Sequence, residues 1–206
     1  MKEGFENREF VAEAQTINVE LLEEGSFPPG MVRILSGTVR LNLWPFFRHG
    51  EEAVEIPPYW IDQYEVTNEQ FKRFVDNGGY EKQEYWKHKF IKDGHELSWE
   101  QTMREFRDKT GRPGRPLTWE GGTYPKGKDK FPVSGISWYE AAAYAEFAGK
   151  SLPTIYHWQE AACIGQAAVI VPFSNFDGKG LAPVGNSPGI GSTGLYDMAG
   201  NVKEWC

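Results

Sequence analysis

A Ser or Thr followed three residues later by Gln or Glu recurs along this chain, and each time a glycine stops the run that follows. Thr67 with Gln70 opens Asn68–Asp76 before Gly78-Gly79. Ser98 with Gln101 opens 99–109 before Gly111, and Ser137 with Glu140 opens 138–148 before Gly149. In such a capping box the hydroxyl accepts from the third helical amide while the Gln or Glu side chain reaches back to the capping residue's own amide. Glycine then takes the left-handed conformation that closes the helix. The helices so defined are short and far apart in sequence. The glycine and proline content favours a turn-rich, irregular fold over a helical bundle, with loops carrying much of the chain.

The rest of the chain is rich in turn chemistry, with 23 glycines and 13 prolines in 206 residues. Met31 to Val39 carries β-branched residues around Gly37, and Glu55 to Asp62 is an extended stretch punctuated by Pro57-Pro58. From Gly111 to Pro132 the chain reads as ordered loop around Trp119. A fourth helix is expected from Thr154 through Cys163, with a broken capping box because His157 stands where an acid would be. Residues 1–29 read as a lead-in that includes a short alternation at 16–21. A chain of this length predicts one compact domain around one core.

The balance of 29 acidic and 22 basic residues, net -7, argues against a nucleic-acid or anionic-membrane surface and suits cation binding. No run approaches the roughly 18 apolar residues of a membrane span. The charged first ten residues are unlike a secretory leader, and Cys163 and Cys206 are too few for a disulfide framework. A cytoplasmic, reducing location is the expectation. Phosphate-loop, dinucleotide and Ser-elbow motifs are absent, and the four histidines, His157 among them, show no metal-binding spacing. The tryptophans suit either a peptide or sugar groove or the interior, and Trp138 and Trp158, beside alanines on helices, are assigned to the interior.

Asp197, Asn201 and Glu204 place hard oxygen donors around Gly200, which is calcium chemistry in outline. The same residues also suit a polar turn in which Asp197 caps and Glu204 is solvated. Both readings stand on spacing alone.

Five ordered blocks resemble the formylglycine-generating enzyme, or sulfatase-modifying factor, family. They are Met31-Val32-Arg33-Ile34-Leu35-Ser36-Gly37-Thr38, then Ile61-Asp62-Gln63-Tyr64-Glu65-Val66-Thr67-Asn68-Glu69-Gln70-Phe71, then Pro132-Val133-Ser134-Gly135-Ile136-Ser137-Trp138-Tyr139-Glu140-Ala141. Ser151-Leu152-Pro153-Thr154 leading to Trp158-Gln159-Glu160-Ala161-Ala162 follows, and Gly194-Leu195-Tyr196-Asp197-Met198-Ala199-Gly200-Asn201-Val202-Lys203-Glu204-Trp205-Cys206 closes the series. The resemblance implies an α+β, C-type-lectin-like fold over residues 30–206, with few helices, short strands and long loops. The helical and loop insert at 80–130 looks most like domains attached behind bacterial serine/threonine kinases.

By resemblance, one calcium site takes the side chains of Asp197 and Glu204 and the carbonyls of Gly200 and Val202. A second takes Asn175, Phe176 and Asp177. Family oxidases bind copper(I) through a cysteine pair beyond the block that ends at Trp205, so no catalytic residue is assigned and copper is expected only if the parent chain supplies that pair. The family's Arg-Gly-Gly-Ser and Gly-Phe-Arg strands are likewise expected downstream, which makes this chain a C-terminally incomplete fragment. The reading drawn is a non-catalytic scaffold that binds a peptide or protein, with an upstream kinase domain as a further partner. The alternative is part of a copper-dependent oxidase that converts a protein cysteine to formylglycine. An iron-dependent sulfoxide synthase ranks last, since it requires a histidine-bearing partner domain.

Overall fold

The computed structural model describes residues 27–40, 53–163, 167–176, 178, 180–188 and 191–206. The alternation at 16–21 lies outside them. The chain divides into two compact units, one formed by the described residues within 1–65, 153–180 and 185–201 and the other by those within 66–152, 181–184 and 202–206. Each has its own apolar cluster, so the single core expected from chain length is two.

The first unit holds two antiparallel pairs. Strand β1 (Met31–Ile34) pairs with β4 (Tyr59–Asp62), Met31 facing Asp62 and Ile34 facing Tyr59, and β2 (Gly37–Val39) pairs with β3 (Val54–Ile56). Leu35-Ser36 separates β1 from β2, and Pro57-Pro58 separates β3 from β4. Prolines lack the amide a ladder needs, which is why pairing stops there. The cluster joins Ile34, Ala161, Ala162, Leu195 and Met198, with Trp158 and Tyr59 packed against it.

The fourth helix spans Ile155–Ala162, and its capping box is complete, contrary to expectation. The Thr154 hydroxyl lies 2.7 Å from His157 Nδ1, and the Thr154 amide donates to that nitrogen at 3.4 Å. Capping needs an acceptor on the third residue, and a neutral imidazole nitrogen supplies one as an acid would. The helix ends on Cys163 in the left-handed region.

The second unit carries α1 (Asn68–Asp76), α2 (Trp99–Glu105) and α3 (Trp138–Phe147), each opened by the expected capping box. Helix α1 buries Phe71, Phe74 and Val75 at helical spacing against Tyr80, Trp86, Phe90, Trp119 and Ala143. Trp119, 1% exposed, donates its indole N–H to Asn68 Oδ1 at 2.9 Å, and Asn68 Nδ2 donates to the Lys128 carbonyl at 2.9 Å. Trp138 and Trp158, expected inside, are half-buried.

Two departures concern the insert. Helix α2 ends at Glu105, short of the expected 109, because Asp108 leaves the helix to serve as a loop centre. Its Oδ1 accepts from the Thr110 amide and hydroxyl and the Arg112 amide, and its Oδ2 accepts from the Gly122 amide, at 2.7–3.0 Å. An unexpected hairpin, β5 (Phe90–Lys92) with β6 (His95–Leu97), turns on Asp93-Gly94, both at positive φ as a type I′ turn requires.

Candidate functional site

The closing block sits in the first unit as far as Asn201. Its apolar anchors, Leu195 and Met198, are buried in that unit's core, while Asp197, Gly200 and Asn201 all take positive φ. Asp and Asn tolerate that region better than other side-chain-bearing residues because their short polar chains bond locally. Gln63 holds the block from below, its carbonyl accepting from the Tyr196 amide at 3.2 Å, and Tyr64 stacks on Tyr196 with centroids 5.1 Å apart.

Asp197 is 3% exposed, and its Oδ2 accepts from the Gly185 amide at 2.6 Å. Burial pushes its carboxyl up, although the Gly185 amide and the Ser187 hydroxyl both favour the anion. Gly200 bridges to Asn175, and the Asn201 amide donates to the Asn175 carbonyl at 3.1 Å. Asn175 Nδ2 donates to Asn201 Oδ1 at 3.0 Å and to the Gly180 carbonyl at 2.9 Å. Asn201 Nδ2 in turn donates to Glu65 Oε2 at 2.7 Å, and Glu65 is itself buried.

Of the residues assigned to metal, the structure brings Asn175 and Gly200 together and places Asp197 on the same loop. Phe176 is 60% exposed, its amide donating to the Ser174 carbonyl, and Asp177 lies outside the described residues. Val202 and Glu204 belong to the second unit, the first half-buried and the second exposed. Among the described residues no three His, Cys, Asp or Glu side chains converge. The donors at hand, a carboxylate and loop carbonyls, are hard oxygens, which fit calcium and not a soft metal. Glu65 is the member of the network that the sequence did not expose, since its partner Asn201 lies 136 positions away.

The two cysteines are free thiols. Cys163 Sγ accepts from the Ser192 hydroxyl at 3.2 Å. Burial, and then the nearby Glu204 charge, push the Cys206 thiol up, which disfavours the thiolate that would attack or ligate. Beside Cys163, the Tyr59 hydroxyl donates to the His157 carbonyl at 2.5 Å, and burial and Glu160 raise its pKa.

Residues 20–206 match the model of the sulfatase-modifying factor enzyme 1-like domain. The chain belongs to this family. Its α+β architecture of short strands, few helices and long loops is the one the family resemblance implies.

Relatives of this family member carry several kinds of name. The serine/threonine-protein kinase pkn1 of Chlamydia caviae is 32% identical over 77% of this chain, and the match takes up 24% of the kinase. The chain thus spans about a quarter of that relative's length. A formylglycine-generating enzyme of Thermomonospora curvata is 30% identical over 86% of the chain and 70% of the enzyme. The inactive Cα-formylglycine-generating enzyme 2 of Bos taurus is 28% identical over 93% of the chain and 70% of that protein. No helix among the described residues is long and apolar enough to cross a membrane.

Proposed function

We propose that this chain is a non-catalytic binding module that presents its loops to a peptide or protein, in the cytoplasm, within a longer protein that also carries a kinase domain. One observation carries the reading. Polar side chains in and around the closing block are held by each other and by backbone: Asn175 by Asn201 and Gly180, Asn201 by Glu65, Asp197 by Gly185. Satisfied buried networks of this kind set the shape of a loop cluster. The resemblance to pkn1 supports a kinase as neighbour, since the matched region is a minor part of that protein.

The second reading, part of a copper-dependent formylglycine-generating oxidase, is favoured by the Thermomonospora curvata relative. Copper(I) would need a cysteine pair other than Cys163 and Cys206, and would supply the oxygen chemistry. The test uses the chain in its parent protein, copper(I), oxygen and an array of cysteine-containing peptides. Mass spectrometry and aldehyde capture read the products. The binding-module reading expects peptides retained with cysteine unchanged; aldehyde formed in proportion to enzyme refutes it.

We propose also that the closing block holds calcium, with Asp197 and Glu204 as carboxylate ligands and Gly200 and Val202 as carbonyl ligands. The hard-oxygen chemistry of these donors supports this. The second set, Asn175, Phe176 and Asp177, rests on resemblance alone. Calorimetric titration of the chain with calcium should show binding heat that Asp197→Ala and Glu204→Ala each abolish. Heat unchanged in both variants sinks the proposal.

A further inference from the structure

The loop that follows α2 reverses the charge of the chain. Between Arg104 and Arg115 five cations stand with two acids, in a protein of net charge -7. Both acids are already engaged, Glu105 with Lys92 Nζ at 2.5 Å and Asp108 with the loop amides. Lys109 is paired with Glu120 at 3.2 Å. Among the described residues no carboxylate lies within ion-pair distance of the guanidinium of Arg107, Arg112 or Arg115.

Two of these guanidinium groups are held by neutral acceptors. Arg107 donates from Nε to the Arg104 carbonyl at 2.8 Å and from Nη1 to the Gly111 carbonyl at 3.0 Å. Arg115 donates from Nη1 to the Gly114 carbonyl at 2.6 Å and from Nε to the Gly122 carbonyl at 3.3 Å. A carbonyl fixes orientation without cancelling charge, and each guanidinium keeps further N–H groups for a ligand. Arg112 and Arg115 meet at Gly122, where a Cβ would lie 3.2 Å from Arg112 Nη1 and 3.8 Å from Arg115 Nε. The Asp108 carboxylate, bound to the Gly122 and Arg112 amides, is a single negative charge beside these two guanidinium groups, and the loop keeps an excess of positive charge there.

We infer that this loop docks a phosphorylated protein segment, with Arg112 and Arg115 taking the phosphate beside Gly122 and Arg107 flanking it. This rests on the binding-module reading and names its ligand chemistry. A phosphate monoester carries close to two negative charges and three strong acceptor oxygens, matching a pair of guanidinium forks better than one carboxylate does. A short segment suits the site better than a nucleic acid. At physiological salt, charges act over about 8 Å, so a single phosphate feels the local cations, whereas a long polyanion also meets the acidic remainder of the surface. The ordering of Arg107 and Arg115 precedes binding, which lowers the entropic cost of capture.

The test applies the labelled full chain to an array of peptides present in matched phosphoserine or phosphothreonine and unphosphorylated forms, with the tightest retained pair titrated by fluorescence anisotropy. A labelled single-stranded DNA is titrated alongside. The expected result is binding about tenfold or more tighter with phosphate, a comparable loss in Arg112→Gln and Arg115→Lys, and no change in Lys89→Gln. Arg115→Lys keeps the charge and removes the fork, and circular dichroism confirms that it folds. Equal binding of both peptide forms overturns the phosphate site and leaves the binding module standing. DNA held as tightly as the phosphopeptide overturns the choice of partner. Retention of no peptide in either form overturns both readings.

Discussion

Gly200→Ala tests whether the closing block is held by close backbone approach. Gly200 has φ +82°, and a Cβ there would lie 2.6 Å from the Asn175 carbonyl oxygen and 3.0 Å from its carbon. The left-handed conformation alone costs an L-residue about 1–2 kcal/mol. The clash is with main chain, so relief requires Asn175 to move off. That breaks the bond from the Asn201 amide to the Asn175 carbonyl and disturbs the side-chain bond from Asn175 to Asn201. Each such bond contributes about 0.5–1.5 kcal/mol net. Gly30→Ala supplies the control within the same unit, for Gly30 has φ +70° and nothing within 4 Å of its Cβ position. The dihedral cost is common to both, so Gly200→Ala should be less stable than Gly30→Ala by about 2 kcal/mol. In a chain of this size that is about 4–8 °C in Tm. Guanidinium and thermal unfolding of the two variants read the difference, and equal destabilisation refutes the argument.

Burial alone would raise the Asp108 carboxyl, but the Thr110 hydroxyl and the amides of Arg112, Gly122 and Thr110 outweigh it and hold the group at about 2 against an ordinary 3.8. A depressed folded value gives stability that is complete above the unfolded value and is lost as pH falls through the folded one, here from about pH 4 toward 2. Asp108→Asn should be less stable at neutral pH and lose that part of the acid profile; an unchanged profile in acid denaturation refutes the assignment. Asn68→Ala should cost about 2–4 kcal/mol in chemical denaturation, because the Trp119 indole N–H and the Lys128 carbonyl would each lose their partner. A cost under about 1 kcal/mol would show that water replaces Asn68 freely. His157→Ala should cost about 0.5–1 kcal/mol and His157→Glu less than that, since only the first removes the acceptor that closes the fourth helix's capping box.

What was legible in the sequence was local. The capping boxes at Thr67, Ser98 and Ser137 need only residues three apart, and all form as read. The end of α2 was misplaced because Asp108 is drawn out by amides as distant as Gly122, a tertiary demand with no periodic signature. The hairpin at Asp93-Gly94 was missed although that pair favours a type I′ turn, its strands being too short to show alternation. At His157 the error was chemical, equating an acceptor with an acid. In the closing block, Asp197 and Gly200 could be singled out by spacing. Glu65 could not, since a single long-range bond to Asn201 leaves no mark near either residue.

The reach of that bond sets an order of assembly. Glu65 precedes the continuous stretch 66–152 of the second unit, and Asn201 comes 136 positions later. During synthesis at about 5–20 residues per second, Glu65 waits on the order of ten seconds for its amide partner to emerge. Over that interval the helices and hairpin of 66–152 have every residue they need for their own local turns. The first unit therefore closes only after the whole of 66–152 has emerged, and its high contact order makes this a slow step. A ribosome pausing before Asn201 would hold a nascent chain with its buried carboxylate still in water.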